Sequence, residues 1–200
     1  MTDREGSWMN GMEFRDLVAA SRTYRRFSDR QVGKTVLEGL VDAARLAPCG
    51  NNMQALRFRV VGERDACDAV FGHLRWAALY RDWDGPAPGE RPHGYVIICL
   101  PAQLADNPVR LIDVGIAAQT MALAACARGL GCCMIRSFDA GLAEELALPE
   151  ELVPALVLAV GGRGEKVLLE GPDTEHGLAY WREPDGTHCV PKLRLEDLLV

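Results

Sequence analysis

Residues 21–27 (SRTYRRF) carry the side chains that are best suited to binding a charged ligand. They follow a short amphipathic helix that the apolar spacing predicts over residues 12–20. Arg22 and Arg25 offer rigid forks of N–H donors and Thr23 offers a hydroxyl, a combination that suits a phosphomonoester. For an isolated RTYRR stretch, the alternative is a solvated basic turn.

A second polar segment, residues 47–55 (APCGNNMQA), lies between a predicted helix and a strand predicted over 58–62. Two asparagines, a glutamine and a glycine place amide donors and acceptors on a loop, which suits contact with the edge of a planar heterocycle. Gly and Asn also tolerate positive φ, so the alternative is an ordinary turn.

Helices and strands alternate along the first half of the chain. Thr35 is predicted as an N-cap, with Glu38 completing a capping box, for a helix that stops before Pro48. Another helix is predicted over 64–80. Residues 81–94 contain three prolines and three glycines and are predicted as a loop within one domain.

One apolar strand and one apolar helix dominate the second half. The strand is predicted over 95–100 and is apolar throughout, as expected when both faces of a sheet are covered. Asn107 and Pro108 suit the start of a helix that ends at Gly129, a natural left-handed C-cap. Because this helix is apolar nearly all round, we expect it to contact a partner subunit as well as its own sheet. The remaining predictions are strands over 132–135 and 155–161, a short helix over 139–146 and an irregular polar stretch over 168–186.

The composition is that of a soluble globular protein. The 200 residues fit a single domain spanning 1–200, with 48% hydrophobic and 25% charged residues. A net charge of −6 argues against nucleic acid as a partner. The first residues show no signal-peptide pattern and the longest apolar run, around 121–127, is too short for a bilayer, so we expect no membrane partner and a cytoplasmic location.

The cysteines and histidines do not indicate a metal site. The seven cysteines include no CxxC pair and are predicted to be reduced thiols in a cytosol. The four histidines are scattered without ligand spacing and receive no role. No GxGxxG follows a strand, which excludes a dinucleotide-binding Rossmann fold, and strands separated by helices indicate an α+β fold with one sheet.

Five short motifs occur in order at residues 22–27 (RTYRRF), 47–55, 112–119 (IDVGIAAQ), 129–133 (GLGCC) and 158–162 (LAVGG). They resemble, in the same order, the RRS(I/V)RKF opening, the APSxGNxQP loop, the (D)xGxAxQN helix, the GLGSCW turn and the late glycine-bearing strand of the FMN-dependent nitroreductase family. The resemblance implies an α+β fold in which helices wrap a mixed sheet. It also implies an intertwined homodimer with two FMN sites in the subunit interface.

The resemblance assigns the phosphate and ribityl chain of FMN to three residues, Arg22, Thr23 and Arg25. Ser21 stands where the family usually has a further arginine, so one cation is missing at that end. Lys192 is the candidate for the C-terminal cation that the family places on the same phosphate. Arg194 is the alternative, and Lys192 as a simple surface lysine is another.

The resemblance also implies that the loop containing Pro48, Cys49 and Asn52 reaches the flavin of the other subunit. Cys49 replaces the usual serine, and because a thiol is a poor donor, we expect contact through the backbone. Cys49 as a nucleophile is an alternative without a recognisable histidine partner. Gln54 matches the family's glutamine, but Ala-Leu follows it instead of Pro-Trp, so we expect a different pocket wall.

Two further motifs imply contacts with the flavin ring. Ile135, Arg136 and Ser137 match the strand end whose backbone amides meet the pyrimidine edge, where Arg136 adds positive charge or merely flanks a helix. Gly161 and Gly162 resemble a loop over the flavin, where a missing side chain lets the backbone approach the ring.

The activity implied by the resemblance is hydride transfer from NADH or NADPH through flavin N5 to a small electrophile, such as a nitroaromatic or a quinone, in ping-pong order. The flavin carries this chemistry, and no catalytic side chain is expected. Two alternatives stay open: a reductive dehalogenase or flavin-fragmenting enzyme of the same fold, and a flavin-binding protein without turnover. Aromatic residues could stack on a planar substrate or fill the core or interface: Trp76, Tyr80, Trp83, Tyr180 and Trp181.

Overall fold

The computed structural model describes residues 11–77, 79–80, 83–172 and 176–200. Within these residues the α-helices are α1 (Gly11–Ala20), α2 (Lys34–Arg45), α3 (Arg64–Gly72), α4 (Pro108–Cys126) and α5 (Leu142–Glu145). The strands are β1 (Phe27–Ser28), β2 (Arg57–Val61), β3 (Gly94–Pro101), β4 (Leu130–Ile135), β5 (Leu152–Arg163), β6 (Val167–Glu170), β7 (Trp181–Arg182) and β8 (His188–Pro191). Single 3-10 turns lie at Gly50–Asn52, Pro88–Glu90, Ala102–Leu104 and Leu195–Leu198.

The strands form two sheets. The larger sheet has the order β1-β5-β3-β2, and β4 pairs with β5 on the side opposite β3, since Val160 pairs with both Gly94 and Cys132. Its strand pairs are antiparallel. The smaller sheet has the order β6-β8-β7, in which β6 and β8 run parallel. The α+β architecture expected from the sequence is therefore confirmed.

The central strand β3 is apolar throughout because both of its faces are covered. Alternate side chains belong to two separate cores, one containing Val96, Ile98 and Leu100 and the other Tyr95, Ile97 and Cys99. Helices α2 and α4 cover the first face, and α3 and α5 contribute to the second. Burial on both sides fixes the register of the sheet, since a shift of one residue would exchange the two cores.

Helix α4 is the longest helix of the core. As predicted, the Asn107 side chain accepts hydrogen bonds from the N–H groups of Val109 and Arg110. The helix ends earlier than predicted, at Cys126 with Ala127 as its C-cap, and Gly129 takes its positive φ of 71° in the turn that follows. By length and apolar content alone α4 could cross a membrane, which contradicts the expectation that no apolar segment is long enough. This is weak evidence for a membrane, because half of the helix is buried inside the molecule, as in the core helix of a soluble protein.

Three local predictions are wrong. Helix α2 begins at Lys34 after Gly33, which makes no side-chain cap, so the predicted N-cap at Thr35 does not form. Helix α3 ends at Gly72 instead of continuing to residue 80, because Leu74 pairs with Phe138 in an isolated β-bridge. The stretch 168–186, predicted as irregular, contains most of β6 and all of β7.

Candidate functional site

Four of the predicted ligand-binding side chains line one cavity of about 230 Å³. Arg22, Thr23 and Arg25 come from the N-terminal segment and Lys192 from the residue after β8. No Asp or Glu is among the described residues that line this cavity. Three cations and a hydroxyl therefore converge without a neutralising carboxylate in the wall, which is the chemistry of an anion site.

The segment that carries the arginines is anchored to the large sheet. The backbone N–H of Tyr24 donates to the carbonyl of Cys132 at 2.9 Å, and Thr23 forms a parallel bridge with the same residue. Strand β1 then pairs with the end of β5. Gly131 allows this close approach, since a Cβ there would lie 2.7 Å from the Tyr24 ring.

Arg22 has an unused donor. Its Nη2 donates to the carbonyl oxygen of Val18, in the last turn of α1, at 2.7 Å. Its Nε is buried and has no hydrogen-bond partner. A buried donor without a partner is costly, and an anionic oxygen in the cavity would satisfy it. The residues present thus fit the phosphate end of FMN.

A second cavity of about 270 Å³ lies next to the first. Three residues, Arg25, Met134 and Tyr180, line both cavities. The second cavity also contains Ile135, Arg136 and Ser137, the residues predicted at the edge of the flavin ring. The structure therefore brings the predicted phosphate and ring-edge residues to adjoining spaces.

His188 lines the first cavity and was not predicted. Burial, followed by the neighbouring Arg25 guanidinium, lowers the pKa of His188 from 6.5 to about 4, so the imidazole is neutral at neutral pH. His188, Val190 and Lys192 alternate in the sequence, as residues on one face of a strand do. This alternation could have indicated His188, since all three residues line the cavity.

The lowered pKa of His188 predicts an acid-sensitive fold. The unfolded chain binds the proton near pH 6.5 and the folded chain only near pH 4, so stability is expected to fall as pH drops from 6.5 to 4 and to level off below. Urea unfolding across this range measures the effect. His188→Gln should show a shallower slope than the wild type, and an identical slope would contradict the prediction.

The loop with Pro48, Cys49 and Gln54 lines a different cavity of about 200 Å³, between α2, α4 and β2. Asn52 is exposed and lines none of these cavities. The sulfur of Cys49 accepts from the backbone N–H of Gln54 at 3.4 Å, and no histidine is among the described residues lining this cavity. Within one chain this loop does not line the cavity of Arg22, Thr23, Arg25 and Lys192, called the cation cavity below. Its expected contact with the flavin of a second subunit stays a prediction.

A buried ion pair holds this loop in place. Arg110 and Asp113 lie one turn apart on α4, 3.2 Å from each other, and each is only 3% exposed. Asp113 accepts from the N–H of Gly50 at 2.8 Å, and Arg110 donates to the carbonyl of the same glycine at 3.0 Å. Next to this clamp, Asn51 and Asn52 adopt positive φ values of 55° and 49°.

The expectation that Gly161 and Gly162 lie in a loop over the flavin is wrong, because both lie within β5. Both are buried, and neither lines the cavities described above. A Cβ on Gly161 would lie 2.7 Å from the Phe27 ring, and one on Gly162 would overlap the Ser28 hydroxyl. Their missing side chains make room for β1.

Replacement of Gly161 by alanine is expected to destabilise the fold by about 1–3 kcal/mol, because the added methyl group forces Phe27 out of its place. Chemical denaturation measures the change. Gly72→Ala is the matched control, since nothing lies within 4 Å of a Cβ there, and it should leave stability unchanged or slightly raised. Equal stability of the two variants would contradict the packing role.

The cysteines in the site are buried thiols. All seven cysteines are free. Burial raises the pKa of both Cys132 and Cys133 to about 12, so they remain protonated at neutral pH. Among the described residues, no group of three or more His, Cys, Asp or Glu is arranged to hold a metal ion.

The chain is similar to known proteins of one family. A model of the Nitroreductase family matches residues 18–162. A relative from Methanothermobacter thermautotrophicus, which bears the provisional name NADH dehydrogenase/NAD(P)H nitroreductase, is 24% identical over 156 residues, covering 75% of this chain and 77% of that protein.

Solved structures show the same fold. A nitroreductase family protein from Clostridium difficile 630 superposes with a TM-score of 0.63 at 23% identity, covering 96% of this chain and 98% of that one. A nitroreductase with bound FMN from Desulfitobacterium hafniense DCB-2 superposes with a TM-score of 0.64 at 22% identity, covering 84% and 97%. Since the family model matches well over half of the chain, this protein belongs to the nitroreductase family.

Proposed function

We propose that the protein is an FMN-dependent oxidoreductase that uses NADH or NADPH to reduce a small electrophile such as a nitroaromatic or a quinone. Membership of the nitroreductase family supports a flavin oxidoreductase. The observation that carries the choice of FMN is the cavity where Arg22, Arg25 and Lys192 converge with Thr23, with no carboxylate among the described residues of its wall. FMN ends in a phosphate dianion, whereas riboflavin does not.

In this proposal the side chains bind and orient FMN, and the bound FMN supplies the hydride-accepting and hydride-donating chemistry. Arg22, Thr23, Arg25 and Lys192 would hold the phosphate end. Ile135, Arg136 and Ser137 would face the ring from the adjoining cavity, where Arg136 adds positive charge that favours an electron-rich ring. No side chain is required as a proton donor, because solvent can protonate the reduced product.

We further propose that residues 1–200 form one flavin-binding domain that acts as a homodimer in the cytoplasm. The cation cavity draws residues from both ends of the chain, which supports a single domain. Val109 and Ile112 of α4 are 43% and 62% exposed, and exposed apolar side chains on a core helix support contact with a second copy. Seven free cysteines fit a reducing compartment.

The visible absorption spectrum of the purified protein tests the proposed cofactor, followed by release and identification of the chromophore. We expect FMN, and we expect NADH or NADPH to bleach the oxidised flavin band without oxygen. Added nitroaromatic or quinone should then restore the band. A bound flavin that neither nucleotide reduces would favour a flavin-binding protein without turnover, and a protein that takes up no FMN would contradict the proposal.

A further inference from the structure

Arg25 is held by residues that lie beyond the 18–162 match to the family. Its Nη1 lies 3.1 Å from Nε2 of His188, and its guanidinium carbon lies 4.5 Å from the centre of the Tyr180 ring. Its backbone N–H donates to Oε1 of Glu165. Contacts from the C-terminal part of the chain thus fix both the backbone and the side chain of this arginine.

The contact between Arg25 and His188 defines the state of the imidazole. A guanidinium can only donate, so Nε2 of His188 must accept and the proton of the neutral ring must lie on Nδ1. Nδ1 is 2.9 Å from the hydroxyl oxygen of Tyr80, which can accept that proton's hydrogen bond. Both ring nitrogens therefore have partners, and the imidazole is oriented from two sides.

The surroundings of His188 favour its neutral form. His188 is 1% exposed and lies among cations and one buried carboxylate, and burial and Arg25 keep its pKa at about 4. Glu165, with a side chain 2% exposed, is paired with Arg182 at 2.6 Å. The side chains that face His188 are those of Arg25, Arg182, Glu165, Tyr80 and Tyr180. The backbone N–H of His188 donates to the carbonyl of Lys166. Lys192 lines the same cavity.

We propose that His188 is a positioning residue that holds the Arg25 guanidinium in the orientation that binds a terminal phosphate, and so makes the cavity select FMN over unphosphorylated riboflavin. The inference rests on the proposed function. His188 acts through Arg25 and need not itself touch the ligand.

The physical reason is pre-organisation. A free arginine side chain loses rotational freedom when it binds an anion, and this loss weakens binding. His188 and Tyr180 hold Arg25 before the ligand arrives, so the N–H groups not used by His188 remain available to oxygen. Riboflavin has no phosphate to contact Arg25, and the advantage should therefore appear only with FMN.

The test compares dissociation constants of FMN and riboflavin for flavin-stripped, full-length protein, measured by quenching of flavin fluorescence near neutral pH. We expect His188→Ala to weaken FMN binding about tenfold and riboflavin binding less than twofold, the effect of one hydrogen bond to a charged group. His188→Gln, whose amide oxygen can replace Nε2 as acceptor, should restore most of the affinity for FMN. His93→Ala is the matched control, because His93 lines none of the cavities described above.

A double-mutant cycle decides whether His188 acts through Arg25. In an Arg25→Ala background, His188→Ala should cause no further loss of FMN affinity. Additive losses, or equal weakening of FMN and riboflavin, would overturn the inference and leave the proposed function intact. If His188→Ala does not fold, the same cycle run with His188→Leu and the Gln variant answers the question.

The pH profile adds a readout that a purely structural role would not move. Protonation of His188 turns Nε2 into a donor facing Arg25, so FMN affinity of the wild type should fall faster toward pH 4 than that of His188→Gln. Both proteins share the titration of the FMN phosphate itself, which cancels in the comparison. Parallel profiles would overturn the inference, and a wild type that binds neither flavin would overturn both it and the proposed function.

Discussion

Replacement of Arg22 by alanine is expected to weaken FMN binding by about 100-fold, or ~3 kcal/mol, the cost of removing one partner from a buried charge-assisted contact. Nη2 of Arg22 is committed to the Val18 carbonyl, and its buried Nε has no partner. Loss of this side chain would leave a dianion without one of its donors. Equilibrium titration of the flavin-stripped protein with FMN measures the change.

Two further variants make the Arg22 result specific. Arg22→Lys keeps the charge but loses the planar fork, and its FMN affinity should lie between those of the wild type and Arg22→Ala. Arg64→Ala removes an exposed arginine at the start of α3 and should leave FMN affinity unchanged. Wild-type retention of FMN by Arg22→Ala would show that the phosphate assignment is wrong.

Replacement of Asp113 by alanine is expected to lower the free energy of unfolding by about 3–5 kcal/mol, because it leaves Arg110 charged and unpaired in the core. Both side chains are 3% exposed, and the same change removes the acceptor for the N–H of Gly50. Urea denaturation measures the loss. The loop that carries Cys49 should also become more accessible to a thiol reagent in the folded variant.

An exposed ion pair provides the control for Asp113. Asp42 and Arg45 also lie one turn apart on a helix, 2.8 Å from each other, with side chains more than 60% exposed. Asp42→Ala should cost less than about 1 kcal/mol, because water screens the pair. Similar losses for the two alanine variants would contradict the role given to burial.

Local sequence signals predicted local structure well. Asn107 caps α4 as expected because its side chain reaches N–H groups only two and three residues away. The helix predicted over 64–80 is wrong beyond Gly72, because Leu74 pairs with Phe138, a partner that is distant in sequence. A tertiary contact of this kind leaves no periodic trace in the segment itself.

The smaller sheet was missed for a similar reason. Strand β6 pairs with β8 in parallel, across an intervening stretch of polar sequence, and its residues are too few to show a clear alternation. The four histidines show no ligand spacing, so His188 received no role, and its alternation with Val190 becomes evident only once β8 is recognised.

The site itself was predictable where residue types and order carried the information. Arg22, Thr23 and Arg25 were expected to act together, with Lys192 as the candidate for a further cation and Arg194 as the alternative, and the structure places Lys192 with the other three around one cavity. Glu165 could not be identified from the sequence, because an acidic residue two positions after a strand is ordinarily solvated. Its burial and its contact with Arg25 depend on the fold.

Residues 22–28 are anchored on β4 and β5, so the cavity is built from segments that lie far apart in the sequence. During synthesis Arg22 and Arg25 leave the ribosome before Cys132 and Lys192, which follow more than a hundred residues later. A nascent chain that ends before β8 has the arginines of the opening segment but lacks His188, Val190 and Lys192 of the same cavity. If the proposed flavin site is correct, it would become complete only after β8 and Lys192 have been synthesised.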